Sequence, residues 1–355
     1  MRQVTTTVGL ALGLLLCAGC SPDAGHTDVP PTAGSTESAA VASPSPATDP
    51  TAELLRRVFV TYNDLNNLAL LAHRQGDPTL WAKVDAEAVL DWDLFDTRLR
   101  AEVGPQPGEL TGKLTYAPGA AIGAVRTAYP RWVLVPVTAT ATPAPTDAPP
   151  TRGPSDADTA VVTLAQQSPA APWLMVSETR AWGRLIPVGA PGADATADQL
   201  RAATVAAQAV GDWLTTGTPR AGLDVQSVLA TRATLVQPEG FPVGSVSCSL
   251  YRGTPVGAGV NPAVRAVTVG DSLVASASYR CERILPGVPG QTIGWKAGWD
   301  RIYAAPVHNT LRQPCVVAVV LVSGLDGSAP TVAGARWGAV DRKSTRLNSS
   351  HRLLS

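Results

Sequence analysis

The chain has 355 residues, 45% of them hydrophobic and 16% charged, and its 28 basic residues balance 28 acidic ones. It can bury a sizeable core, which excludes a collagen-like or wholly disordered polymer. Without a basic excess, nucleic acid is not an expected partner.

Arg2 supplies a positive start, and residues 8–16 form an apolar run broken by Gly9 and Gly13. That run is far shorter than the ~20 residues of a membrane-spanning helix. Residues 1–19 therefore read as a secretory signal peptide. The next small residues, Ala18 and Gly19 before Cys20, resemble the bacterial lipobox. The resemblance implies cleavage before Cys20 and attachment of a lipid there, with palmitate among its acyl chains. In one departure, Cys17 stands where the motif has Leu or another aliphatic residue. The expected location is the outer face of the cytoplasmic membrane, or the medium if no lipid is added. Residues 20–49 are built mainly of Ser, Thr, Pro, Ala, Gly and Asp, with almost no large apolar residues. Such a segment buries too little to offset its ordering entropy, so it is expected to be a disordered tether.

Residues 50–190 read as a first α+β domain. Asp49-Pro50 is a helix start, and Leu55, Val58, Phe59, Tyr62, Leu65 and Ala69 recur at helical spacing. The helix is expected to end near Gly76. Asp77-Pro78 repeats the start signal, and Leu80, Trp81, Val84, Leu90, Leu94 and Phe95 fill a second helical core face. Strands are expected at 114–116, 124–129, 131–138, 160–165 and 173–179, with a Pro-rich loop over 139–158. Small and polar residues at 189–198 mark a boundary.

Residues 196–340 repeat the order of helix, then strands. Thr196 and Gln199 form a capping box, Leu200, Ala203, Ala207, Val210 and Leu214 line one face, and Gly217 is a stop. Strands are expected at 245–251, 264–269, 273–283 and 315–323. The fold class is α+β, in two helix-plus-antiparallel-sheet halves. The first half also resembles the cone-shaped roll of nuclear-transport-factor-two-like proteins, a likeness of element order alone. Such rolls have a concave sheet able to enclose a small ligand, with Trp132 and Trp173 as possible cavity lining.

The last stretch differs. Residues 341–351, DRKSTRLNSSH, resemble the translation of a sequencing adapter, so 341–355 are expected to be an artefactual, disordered tail. Setting aside Arg2, Asp341, Arg342, Lys343, Arg346 and Arg352 leaves 23 basic and 27 acidic residues, a charge near −4.

Beyond Cys17 and Cys20 the cysteines are Cys248, Cys281 and Cys315, each in a strand-like run. Export permits a disulfide, and three single pairings are open. No C-x-x-C spacing points to zinc. His73 lies at a helix C-terminus, and His308 in a probable loop near Asp300, without a local catalytic motif. Asp85, Glu87, Asp91, Asp93 and Asp96 form the densest acidic run, which reads as the solvated face of an amphipathic segment. No catalytic residue, metal ligand or cofactor site is assigned.

Tyr62-Asn63, Tyr129-Pro130-Arg131-Trp132, Trp173-Leu174-Met175 and Val322-Ser323-Gly324-Leu325, in this order, resemble a family of uncharacterised actinobacterial lipoproteins. The resemblance covers most of 51–340 and implies a location and a shape, without a reaction. The expectation is a non-enzymatic lipoprotein that binds in the envelope: the membrane through its lipid, and another envelope protein or a small ligand. The alternatives are a small-molecule carrier and a hydrolase with dispersed residues.

Overall fold

The computed structural model describes residues 49–105, 112–142, 158–182, 185–187, 191–237, 242–251, 263–287 and 310–340. It shows an α+β fold of four helices and one ten-stranded antiparallel sheet. The order is α1 (Pro50–His73), a 3-10 turn (Trp81–Lys83), α2 (Glu87–Val103), β1 (Lys113–Pro118), β2 (Arg131–Thr142), β3 (Asp158–Gln166), β4 (Leu174–Trp182) and β5 (Pro191–Asp194). Then come α3 (Ala197–Thr216), α4 (Leu229–Val236), β6 (Ser245–Leu250), β7 (Val264–Val269), β8 (Ser272–Pro286), β9 (Thr310–Gly324) and β10 (Thr331–Ala339).

The strands lie in the order β1-β2-β3-β4-β10-β9-β8-β7-β5, with β6 also on β8. Strand β8 is long enough to hold β7 along residues 272–277 and β6 along 279–284. The stretch at 189–198 contains β5, which pairs with β7. The strands before and after it join one sheet, through Gly334 of β10 opposite Ala181 of β4. Each part of the sequence thus forms an arm of this sheet.

Among the described residues the apolar side chains form three cores, two of which join the arms. The largest lies under α3 and α4 and joins Trp132, Leu134 and Val161 of one arm to Val267, Tyr279 and Val317 of the other. A second lies between α1 and the first arm. A third joins Ala88, Trp92, Phe95 and Leu99 of α2 to Val316 and Ala318 of β9. Since Val89 and Leu90 belong to the second core, α2 is wedged between both arms.

Helix α1 begins as expected: the Asp49 side chain accepts from the Thr51 amide and Pro50 opens the helix. It also seals the free edge of β1. Asn63 Oδ1 accepts from the Tyr116 amide and its Nδ2 donates to the Tyr116 carbonyl, both at 2.9 Å. One turn on, Asn67 makes the same pair of bonds with Leu114, at 2.9 and 3.1 Å. Residues four apart on a helix meet residues two apart on a strand, so the edge backbone is capped against pairing with another chain.

Two expectations fail. A helix does not start at Asp77-Pro78: Asp77 Oδ1 instead closes a turn with the Thr79 amide at 2.9 Å. After the turn at Val84, Asp85 and Ala86 run beside β4, since Met175 N donates to Val84 O and Ala86 N to Met175 O. Helix α2 therefore opens only at Glu87, whose φ is +54°. Residues 124–129 are not a strand either, although Ile122 just before them bridges to Leu134 and the Arg126 amide donates to the Trp132 carbonyl. This segment reaches across the core instead, and Gly123 packs against Val267 of β7. Strand β10, helix α4 and short β5 were not anticipated.

Candidate functional site

The acidic run is not a solvated face. Helix α2 crosses the seam between the arms, and most of its carboxylates point inward. Asp85 and Asp91 are 1% and 0% exposed. Each is matched from another element, as buried charge requires. Glu87 holds Arg265 of β7 in a two-pronged ion pair, at 2.6 and 3.1 Å, with both side chains at or under 10% exposure. Asp91 accepts from the Tyr251 hydroxyl at 3.0 Å and from Arg280 of β8 at 3.4 Å. Glu178 of β4 takes Arg336 of β10 at 2.6 Å, and that guanidinium lies 4.9 Å from the centre of the Trp92 ring. Gly338 completes the seat: a Cβ there would fall 2.2 Å from Trp92 Nε1. Asp96 remains exposed.

Asp85 and Asp93 form a different kind of contact. Asp85 Oδ1 accepts from the Tyr62 hydroxyl at 3.0 Å. Its side chain is also hydrogen-bonded to Asp93. Two carboxylates make such a bond only when one carries a proton. Burial is the chief cause that raises both, and Asp85 is pushed up to about 7. For Asp93, burial and then the Asp85 charge act in the same direction, so the two carboxyls hold a proton between them. This pair can exchange a proton near neutrality, but it lies closed inside the seam.

His73 is a structural residue. Thr97 Oγ1 donates to the Asp93 carbonyl at 2.7 Å. Its remaining lone pairs face Trp81 Nε1 at 2.7 Å and His73 Nδ1 at 2.8 Å. A hydroxyl has one proton, so His73 must donate through Nδ1. That role leaves Nδ1 without a lone pair for proton abstraction. His308 and Asp300 lie outside the described residues, as do residues 20–48, with Cys20, and residues 341–355. Among the described residues, no His, Cys, Asp and Glu side chains group to hold a metal ion.

Two hollows open on the surface. A groove of about 670 Å³ runs between α3 and the turns at 220–223 and 324–330. Its α3 wall is made of Ala202, Val205, Ala206 and Ala209, at helical spacing, and Leu273 and Leu325 face them. Val205 and Leu325 are 58% and 43% exposed. Among the described residues of its lining one side chain is charged, Arg220, and it is paired with Asp212 at 2.6 Å. The turn opposite is pre-shaped: Ser328 Oγ accepts from the Gly324 amide, and Asp326 accepts from the Ser328 amide. That bond holds the Asp326 carboxyl below its ordinary range. A smaller pocket of about 340 Å³ lies under Trp173, between Val58 and Tyr62 of α1 and Val84, with Arg57 and Lys83 in its lining.

The two tryptophans singled out in the sequence do not meet. Trp173 lines the small pocket, with Arg131 5.0 Å from its ring centre. Trp132 is in the core under α3, stacked by Arg126 at 4.1 Å. Of the three possible disulfides, Cys248–Cys281 is formed across β6 and β8, and Cys315 is a buried thiol on β9. The charged seam was missed in the sequence because its basic partners, Arg265, Arg280 and Arg336, lie about 150 residues or more away along the chain. One signal was present: Trp92, Leu94 and Phe95 interleave with the acids, so both faces of α2 carry large apolar residues. In comparison with known proteins, the chain matches no family model and no curated sequence.

Proposed function

We propose that the protein is an exported lipoprotein, held through Cys20 on the outer face of the cytoplasmic membrane, that works by binding an envelope partner and not by catalysis. The observation that carries this reading is the groove beside α3. Its volume falls in the range of binding sites, its walls are mostly apolar and the cation among its described lining residues is paired, so its complement is an uncharged, largely apolar segment. The described carboxylates of α2 and His73 serve the packing of the seam. The disulfide agrees with an oxidising compartment outside the cytoplasm. Membership of the uncharacterised actinobacterial lipoproteins, and a cone-shaped nuclear-transport-factor-two-like form for the first arm, belong to the same proposal.

A photo-crosslinking residue at Val205, compared with one at exposed Arg56, tests it in cells. A discrete protein adduct at 205 that is absent at 56 is the expected result. Equal labelling at both sites, or none at 205, overturns the groove. A second reading, a small-molecule carrier, is favoured by the pocket beneath Trp173, where two cations border an apolar floor. Native mass spectrometry separates the two: a co-purifying small mass lost in Trp173→Ala supports the carrier. Anchoring is tested by Cys20→Ala, which should release the chain into the medium.

A further inference from the structure

Cys248, Cys281 and Cys315 stand in one row across three neighbouring strands. The register pairs Cys248 with Cys281 and Cys281 with Cys315, so all three side chains project to one face. That face is the core under α3. The Cα atoms of the disulfide are 4.1 Å apart, as in the narrow, non-hydrogen-bonded sites of an antiparallel pair. In agreement, the Cys248 amide turns away from β8 and donates to Thr215 Oγ1 of α3 at 3.0 Å. The backbone groups of Cys281 consequently point to β9. Its pair with Cys315 is then the hydrogen-bonded kind, with Cα atoms ~5.5 Å apart. A disulfide spans that distance. Cys248 and Cys315 lie two strands apart, ~9.5 Å, and cannot bond directly.

We propose that Cys281 is a shared partner, and that the resting disulfide exchanges to Cys281–Cys315, moving the thiol from the buried β9 to the half-buried Cys248 on β6. Exchange requires the incoming sulfur to approach opposite the leaving one, and the row supplies that order of sulfurs. The Cys315 thiol gives up its proton and attacks Cys281 Sγ. The new S–S bond forms as the bond to Cys248 breaks, and the electron pair leaves on Cys248 Sγ, which takes up a proton. One thiol is consumed and one released, so no oxidant or reductant enters. Burial pushes the Cys315 thiol up to about 12, which keeps its thiolate scarce and the exchange slow. The released thiol is half-buried and lies on β6, which among the described strands pairs only with β8, so an external thiol or disulfide can approach it from the strand's free side.

Slow labelling of the native full-length protein with N-ethylmaleimide, followed by non-reducing peptide mapping, tests the relay. The expected product carries the label on Cys248 together with a Cys281–Cys315 linkage, and the Cys248 label is lost in Cys315→Ser. Retention of Cys248–Cys281 in all labelled molecules overturns the proposal. As a second measurement, Cys248→Ser is exposed to oxidised glutathione while folded. A Cys281–Cys315 peptide supports the shared partner; two persistent unlinked thiols sink it.

Discussion

Helix α3 buries Leu200, Ala203, Ala207, Val210 and Leu214, while α2 buries Asp91 and Thr97 alongside Trp92 and Phe95. The first has a capping box at Thr196 and ends at Gly217 in the left-handed conformation (φ +82°). The second starts at Glu87 without a side-chain cap, because its N-cap residue, Ala86, has no side-chain acceptor. Apolar area is non-directional, so α3 is held by surface that many arrangements could satisfy. Paired charges in a dry seam admit one register, so α2 fixes how the two arms meet.

This contrast can be broken from either side. Arg265→Met leaves Glu87 buried and unpaired, which should cost about 3–5 kcal/mol. A urea titration of the soluble Cys20→Ser chain reads this as a lowered midpoint. The double variant with Glu87→Leu should recover most of the loss, and failure to recover would mean that the seam needs this pair for more than charge balance. On the other helix, Leu214→Ala should cost ~3 kcal/mol by loss of transfer energy and a residual cavity. No second-site change of charge should rescue it.

The shared proton gives the seam a pH dependence. Asp85 is raised from its ordinary value to about 7, so the folded state holds protons that the unfolded state releases. Its full contribution is present below pH ~4, and stability falls as pH rises from there through about 7. Asp93→Asn keeps a hydrogen-bond donor toward Asp85 and removes one titrating group. Midpoints compared at pH 5 and pH 8 should fall less in this variant than in the parent; identical slopes would place the proton elsewhere. The smallest effect is expected at the α3 cap. Thr196→Ala loses the bond to the Gln199 amide and should cost about 1 kcal/mol, with little change in the groove. A larger loss there would show that α3 depends on its start as α2 depends on its pairs.

The elements most legible in the sequence are those whose signal is local. Asp49-Pro50, Thr196 with Gln199, and the alternation of Leu273, Ala275, Ala277, Tyr279 and Cys281 each report a cap or a period within a few residues. All five of the β8 residues lie in the core under α3, as their spacing implies. The start at Asp77-Pro78 misled because an identical cap signal also closes a simple turn, and pairing with Met175 then held the chain extended. Asn63 and Asn67 carry no apolar signal, yet they fix α1 along the edge of β1. The groove is legible only as the spacing of Ala202, Ala206 and Ala209, which says nothing of what faces it.

By itself, then, the sequence determined the fold class, two of the helix starts, several strands and the alternating face of β8, because these follow from periodicity and capping over short spans. The tertiary structure decided the joining of both arms into one sheet, the inward turn of the acids on α2, the choice of Cys248–Cys281 among three pairings, and the groove. Each depends on which distant strand lies alongside, and strand register brings together residues that local spacing cannot relate.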